Sequence, residues 1–244
     1  HRDLHSFPTR RSSDLNGDFS VNQRNSATVA DDVYSLDRWY ALTQTSTITV
    51  TQQTLQENGS PTNIRLTQSQ ATPQRMGLAQ IVEAANCRFT RGDSVTLSSR
   101  VRCSVSTTIY YAVLAWTGSA DAPTSDVVND WTSASYTAGG FFNSTTLAVA
   151  GVGSVTPAAA SWTAIPALTA AVSGSMNNLI VVFWTEATQA QNVTLDIARA
   201  QLEPGTAATE FERLQAQAIM SECKRYYSTV GHDMVIRFNS DGGT

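Results

Sequence analysis

The chain has 244 residues, of which 41% are hydrophobic and 15% charged, and its formal net charge is −4. This length suits one large all-β domain or two small domains with a real core, and the acidic balance argues against a nucleic-acid-binding surface. No apolar run approaches about 18 residues, so the sequence predicts no membrane-spanning helix. Three irregularly spaced cysteines do not make a disulfide framework, and we expect them to be buried.

The first fifteen residues, HRDLHSFPTRRSSDL, differ in composition from everything that follows. They show neither the helical nor the strand period of apolar residues. Back-translated, they resemble, codon for codon, the end of a widely used short-read sequencing adapter. We therefore expect residues 1–15 to be a disordered, adapter-derived artefact in a metagenomic fragment whose natural N-terminus is missing. A disordered basic arm is the alternative.

From Asn16 onward, short runs alternate apolar and polar residues between Gly, Pro, Asn and Asp, which is the pattern of strands with one buried face. SVTLSSRVRCSV is the clearest, because Val95, Leu97 and Val101 share one face. The other predicted strands are STITVTQQTL, NIRLTQ, MGLAQIVE, TIYYAVLAW, TLAVAGV, NLIVVFWTE and NVTLDIARAQLE. Since no helical stretch lies among them, the pattern predicts an antiparallel sandwich or barrel.

Several strands carry more specific predictions. NLIVVFW is apolar on both faces, so it should be a central strand that is covered on both sides. The apolar parity of the last strand changes near Ile197–Ala198, which predicts a β-bulge there. Tyr110 and Tyr111 point to opposite faces, so we expect one of them to be exposed. The tryptophans in strand patterns are predicted to be core residues, namely Trp39, Trp116 and Trp184.

The longest irregular stretch runs from Gly118 to Gly140 and is predicted to be a surface loop. It contains the best candidates for a sugar-binding site, because apolar sugar faces stack on exposed aromatic rings while polar groups bind the hydroxyls. The candidate residues of this ligand-binding site are Trp131, Asp130 and Tyr136. Packing of the rings inside the protein is the alternative.

The segment PGTAATEFERLQAQAIMSECKRYY then breaks the strand pattern. Its apolar residues keep helical spacing, which predicts a helix from about Arg213 to Arg225, and Thr209 with Glu212 fits a capping box. The final stretch, DMVIRFNSDGGT, begins a strand that we expect to be truncated.

Catalytic motifs are missing from this sequence. His232, the one histidine outside the adapter-like segment, has no visible partners for a Ser-His-Asp site, and no P-loop, G-x-S-x-G, C-x-x-C or H-E-x-x-H spacing occurs. Paired carboxylates can cleave glycosides, but the acidic residues of turn-like sequence fit solvated surface groups better: Asp31, Asp32, Asp126 and Asp130. We therefore predict that the chain is not an enzyme.

Three segments carry recognisable motifs: NGDFSVNQRNSATVADDVYSLDRWYA, ARAQLEPGTAATEFE and ECKRYY. Together they resemble phage tail-fibre and tail-associated proteins with a carbohydrate-binding-module-like jelly-roll domain. The resemblance implies an all-β chain, with an antiparallel jelly-roll β-sandwich over residues 16–208. Residues 209–244 would be a helical connector with one short C-terminal helix and the truncated first strand of a further domain.

The same resemblance implies a function on the virion tail, commonly as a homotrimer. We predict a non-enzymatic structural or receptor-binding module of a phage tail fibre, in which repeated weak contacts with a host surface glycan become firm adhesion. The alternative is a carbohydrate-binding module of a secreted bacterial enzyme or adhesin. A third possibility is a tail depolymerase whose catalytic part lies outside this chain.

Related jelly rolls often hold a structural calcium ion near the N-terminal strand. One of their ligands is a Glu after the Asn-Gly-x-Phe motif, and Ser20 stands at that position here, which removes a carboxylate that a hard cation favours. Asp18 and Asp196 are weak calcium candidates, so no metal or other cofactor is predicted.

Overall fold

The computed structural model describes residues 16–25, 27–57, 60–213 and 216–224. The adapter-like segment, His232 and the predicted truncated strand lie outside these ranges. In chain order the strands are β1 (Thr28–Val29), β2 (Tyr34–Leu36), β3 (Trp39–Thr43), β4 (Ile48–Glu57), β5 (Ser60–Thr67), β6 (Met76–Val82), β7 (Ser94–Cys103), β8 (Ile109–Trp116), β9 (Leu147–Val155), β10 (Thr163–Ala164), β11 (Leu168–Ala171), β12 (Asn178–Thr185) and β13 (Thr194–Pro204). The helices are α1 (Ala84–Cys87) and α2 (Ala216–Cys223).

Two antiparallel sheets face each other across one core. The first sheet has the strand order β1-β4-β5-β13-β7-β10, with β11 also paired to β7, and the second has the order β2-β3-β6-β12-β8-β9. The chain crosses between the sheets repeatedly, and β12 and β13 insert between strands that precede them in sequence. This arrangement is a jelly-roll β-sandwich, which confirms the predicted fold class.

The alternating sequence pattern determines which side chains fill the core. In β7, Val95, Leu97 and Val101 are buried in the cluster between the sheets, whereas the arginines of the same strand lie on the outer face. Strand β12 lies between β6 and β8 and is buried along its whole length, as its two-sided apolar sequence predicts. The three strand tryptophans are also buried as predicted: Trp39, Trp116 and Trp184.

A β-bulge interrupts β13 where the change of parity predicts it. The pairing of β13 with β7 shifts register between Ala198 and Gln201, and Arg199 has a φ of 52°. Ile197 and Ala200 therefore both point into the core, because the bulge adds one residue between them. It also leaves Arg199 on the outer face of the first sheet.

The predicted surface loop folds over the outer face of the second sheet. Its residue Val127 is buried against sheet residues that include Trp184, as are Phe141 and Phe142 directly after the loop, and these side chains form a second hydrophobic cluster. Tyr111 points into the sandwich and Tyr110 to the other face, as predicted. The expectation that one of them is exposed is wrong, because the loop covers Tyr110 and leaves it half-buried.

The helix after β13 begins later than the sequence predicts. Arg213 is not helical, and α2 starts at Ala216. The predicted capping box does not form, because the Thr209 hydroxyl donates to Glu203 and the Glu212 amide donates to the Gln201 side chain at 2.8 Å. Both bonds tie this segment to the end of β13 instead of opening a helix.

Helix α2 contacts the N-terminal segment of the sandwich. Its residues Ile219 and Cys223 pack against Val21, while the predicted domain boundary at residue 208 stays a prediction. Neither helix of the described ranges is long and apolar enough to span a bilayer. The three cysteines are buried, as predicted, and form no disulfide bond: Cys87, Cys103 and Cys223.

Candidate functional site

The two aromatic residues predicted to bind a ligand lie together on the loop that covers the second sheet. The ring of Trp131 meets Phe141 edge-on, with 5.7 Å between ring centroids, and Tyr136 lies 5.4 Å from the same ring. Tyr136 also packs 4.3 Å from Tyr110. Both rings are half-buried, so they help to close the second hydrophobic cluster, and their role in ligand binding stays a prediction.

Asp130, the third predicted site residue, is exposed and engaged in a turn. Its carboxylate accepts hydrogen bonds from the Thr132 amide at 2.8 Å and from the Thr132 hydroxyl at 2.7 Å. The hydroxyl bond and then the amide bond lower the pKa of Asp130. The carboxylate therefore stabilises the loop locally.

A different set of polar side chains lies on the outer face of the first sheet. Strand pairing places residues of β4, β5, β13 and β7 directly opposite one another, and Trp162, just before β10, continues the line because Thr163 pairs with Val101. Directly opposed residues point to the same face of a sheet. We call this set the cross-strand row: Thr51, Arg65, Asp196, Arg102 and Trp162.

Asp196 is the buried centre of the cross-strand row. Its side chain is 1% exposed and accepts two bonds from Arg65, at 2.7 and 2.9 Å. On its other side Arg102 contacts the same carboxylate at 2.6 and 2.7 Å. Such charge-assisted bonds, which are bidentate for Arg65, hold guanidinium groups in fixed orientations, and Arg65 keeps 27% of its side chain exposed.

Trp162 is a residue that the sequence analysis did not select. The Arg102 guanidinium lies 4.9 Å from the centroid of its indole ring, which is within the range of a cation–π contact. The Trp162 carbonyl accepts a bond from Arg100 at 3.3 Å. Its sequence context, PAAASWTAIP, has no alternation that would bury a tryptophan, and this is the signal that could have identified it.

A second ionic group lies beside the row on the same face. Glu57, whose side chain is 5% exposed, contacts Arg100 at 2.7 Å and Arg199 at 3.0 Å. The β-bulge makes the second contact possible, because it turns Arg199 outward. Together the row and this group hold four arginines and two carboxylates, a net charge of plus two.

The two ends of this face differ. Near the end of β13, Gln201 and Glu203 are covered by the segment that follows the strand, through the bonds with Glu212 and Thr209 described above. At the opposite end, Thr49, Thr67 and Thr194 stand opposite one another and are each half-exposed. The cross-strand row lies next to this hydroxyl-bearing end.

The two weak calcium candidates do not form a cation site. Both oxygens of Asp196 already face guanidinium groups, and Asp18 accepts the Ser20 amide at 3.1 Å. A calcium ion needs an excess of oxygen ligands, so this donor set does not fit calcium. In the described ranges, no cluster of three or more His, Cys, Asp or Glu side chains could share a metal ion.

One carboxylate expected to be a solvated surface group has a different environment. Asp31 and Asp126 are exposed, but Asp32 is half-buried. Burial, and then the negative charges of Asp31 and Asp126, raise the pKa of Asp32 to about 7. At neutral pH this side chain is therefore partly protonated.

No protein-family model and no curated protein matches this chain, but solved structures resemble its fold. The enzymatically active domain of tailspike protein 4 from bacteriophage CBA120 is 12% identical, with a TM-score of 0.43, over 68% of this chain and 19% of that chain. TmCBM61, solved with β-1,4-galactotriose, is 8% identical, with a TM-score of 0.41, over 68% of this chain and 88% of that chain. The C-terminal family 22 carbohydrate binding module of Clostridium thermocellum Xyn10B is 11% identical, with a TM-score of 0.42, over 78% of this chain and 99% of that chain. Identities this low concern the fold alone, so the function is argued from the side chains.

Proposed function

We propose that this chain is a non-catalytic, glycan-binding β-sandwich module that acts outside the cell or on a virion. The observation that carries the proposal is the cross-strand row, in which an indole ring and oriented guanidinium groups share one half-exposed face. Sugar recognition needs this combination, because the apolar face of a pyranose packs on an aromatic ring while its hydroxyls require hydrogen-bond partners.

The dimensions of the row suit a short oligosaccharide better than a single sugar. Its members come from five adjacent strands, and four spacings of about 4.8 Å give a length of about 19 Å. Threonine hydroxyls of the neighbouring row extend the polar surface. Strand residues also present these groups with little mobility, which lowers the entropy cost of binding.

The charge of the cross-strand row and of the Glu57 group beside it favours sugars that carry acidic groups. The excess of two guanidinium charges attracts carboxylate or sulfate substituents. Because the arginines are partly exposed, we expect this preference to weaken as the ionic strength rises.

The proposal is tested by comparing Trp162→Ala with Trp131→Ala. The full chain is first applied to an immobilised glycan panel, and the strongest ligand is then titrated by calorimetry. We expect Trp162→Ala to weaken binding about tenfold, since lost ring contacts of about 1.4 kcal/mol correspond to that factor, while Trp131→Ala binds as the wild type does. Trp162→Phe, which keeps an aromatic ring, should lie between them.

The opposite result would assign the ligand to the loop. If Trp131→Ala loses binding and Trp162→Ala keeps it, the predicted site of Trp131, Asp130 and Tyr136 is the correct one. If the panel shows no glycan bound by the wild type, the proposed function is wrong. Release of reducing ends from any bound polysaccharide would contradict the non-catalytic assignment.

Which larger protein carries the module is a separate proposal. The three motif-bearing segments support a phage tail fibre with a homotrimeric assembly, whereas the sandwich and its glycan-binding face fit equally a module of a secreted bacterial enzyme or adhesin. Light scattering on the purified chain tests the assembly: a stable trimer supports the fibre, and a monomer at high concentration favours the secreted module.

A further inference from the structure

Trp162 lies on a short part of the first sheet. Strand β10, which follows it directly, has only two residues and lies at the edge of that sheet. Its pairing with β7 covers Thr163 and Ala164, and the amides of Ala160 and Ile165 donate to β7 on either side, at 2.7 and 3.0 Å. An edge strand of this length has few ladder bonds of its own, so side-chain contacts contribute to holding the indole ring in place.

Two arginines of β7 contact Trp162 at different points. The Arg102 guanidinium lies 4.9 Å from the centroid of the indole ring, and Arg100 donates to the Trp162 carbonyl at 3.3 Å. Each arginine also contacts a buried carboxylate. Arg102 meets Asp196 at 2.6 Å, and Arg100 meets Glu57 at 2.7 Å. The ring and the main chain of Trp162 are therefore each connected, through one arginine, to one buried acid.

Glu57 lies outside the cross-strand row, yet it determines the direction of the Arg100 side chain. The two oxygens of its carboxylate contact Arg100 and Arg199, at 2.7 and 3.0 Å. Because both guanidinium groups meet one carboxylate, they lie close to each other, and without its negative charge they would repel. Arg100 would then turn away from the Trp162 carbonyl, toward solvent.

We propose that Glu57 is a positioning residue of the glycan-binding face, which acts through Arg100 on Trp162. The inference rests on the proposed function and predicts an effect of definite sign. Glu57→Gln removes a negative charge, so electrostatic attraction alone would tighten the binding of an acidic glycan. Loss of positioning weakens binding instead, because a mobile ring must be ordered before a sugar can stack on it.

Acrylamide quenching of tryptophan fluorescence tests the position of the ring without any glycan. It is measured on the full chain with Trp131→Phe, in which Trp162 is the half-exposed tryptophan. The other three tryptophans are buried: Trp39, Trp116 and Trp184. We expect Glu57→Gln to raise the quenching up to about twofold, since a ring that leaves Arg102 offers both faces to the quencher instead of one.

Calorimetric titration with the tightest-binding glycan of the panel then measures the role in binding. Glu57→Gln should weaken it about threefold. Arg100→Lys keeps the charge but replaces the guanidinium fork by one compact ammonium group, and it should weaken binding to the same extent. Glu186→Gln removes the same charge from an exposed residue directly after β12, so it should change neither binding nor quenching.

A double-mutant cycle distinguishes positioning from a purely structural role. In the Trp162→Ala chain, Glu57→Gln should have no further effect on binding, because a residue that acts through Trp162 cannot add to its loss. Circular dichroism shows which variants are folded, and Arg100→Lys replaces Glu57→Gln in the cycle if the latter does not fold.

Unchanged quenching, tighter glycan binding by Glu57→Gln, or an additive effect in the Trp162→Ala chain overturns the role of Glu57. Failure of the proposed function gives a different result, in which Trp162→Ala itself keeps the wild-type affinity or the wild type binds no glycan. The inference would then be overturned together with the function on which it rests.

Discussion

Asp196 is a buried carboxylate on the outer face of a sheet, where a lone ionised group would cost several kcal/mol. Arg65 and Arg102 remove that cost from either side, and in doing so the carboxylate holds both guanidinium groups in the cross-strand row. The same residue thus stabilises the sheet and positions the donors of the proposed site. Asp196 therefore couples the stability of the sheet to ligand binding at the proposed site.

We expect Asp196→Asn to reduce the free energy of unfolding by about 3 kcal/mol, because removing one partner of a buried ionic group leaves the others uncompensated. The measurement is urea denaturation of the full chain. Asp130→Asn is the matched control, since it changes an exposed carboxylate that contacts only its own turn, and it should unfold at the wild-type midpoint. Equal midpoints for both variants would contradict the structural role of Asp196.

Asp32 gives the protein a pH-dependent stability. Its pKa in the folded chain is about 7, against an ordinary value of 3.8, so folding favours the protonated form. The associated stability is fully present below the ordinary value and is lost as the pH rises through about 7. We expect Asp32→Asn to raise the thermal midpoint more at pH 8 than at pH 5.

Asparagine is a suitable replacement at this position, because Asp32 has a φ of 59° and Asn tolerates that region. The control is Asp93→Asn, which changes an exposed acid directly before β7. An Asp32→Asn effect that is independent of pH would show that the carboxyl group does not titrate in this range.

At the scale of elements, the β-bulge of β13 connects the N-terminal motif to the sandwich. The Ala200 amide lies inside the register shift and donates to the Gly17 carbonyl at 3.0 Å. A Cβ atom built on Gly17 would lie 1.8 Å from the Ala200 carbonyl oxygen. The glycine of the Asn-Gly-x-Phe motif is therefore required by close backbone packing on the bulge.

We expect Gly17→Ala to lower the free energy of unfolding by about 2 kcal/mol or more, because the methyl group forces the N-terminal segment away from β13. Gly174→Ala is the control, since a Cβ atom there meets no atom within 4 Å. Thermal denaturation followed by circular dichroism measures both. If the two variants have the same midpoint, the segment does not depend on this contact.

At the scale of the whole molecule, the two sheets have different outer faces, and only part of this difference could be predicted from the sequence. Alternation predicted the strands and the bulge, since both are local patterns. The partners of Asp196 lie 131 and 94 residues away in sequence, and no local pattern pairs them. Trp162 joins the row through the two-residue strand β10, which is too short to show a period.

The role of the loop over the second sheet also depends on contacts that a local sequence pattern does not predict. Its irregular composition predicted a surface loop, and it is one, but Val127 within it and Phe141 and Phe142 directly after it also cover the outer face of the sheet with a second hydrophobic cluster. That role depends on the sheet beneath it, whose outer face is itself apolar. Consequently Trp131 and Tyr136 belong to a packed layer, while the other sheet keeps its polar face in contact with solvent.

The buried cysteines have a practical consequence for studying this protein. Burial raises the pKa of the Cys87 thiol to about 11, and Cys103 and Cys223 are buried as well, so none of the native thiols should react readily at neutral pH. A single cysteine introduced at Ser98, on the outer face of β7, would then be the preferred target of a maleimide dye. The fluorescence of this conjugate would report the binding of a ligand to the outer face of the first sheet.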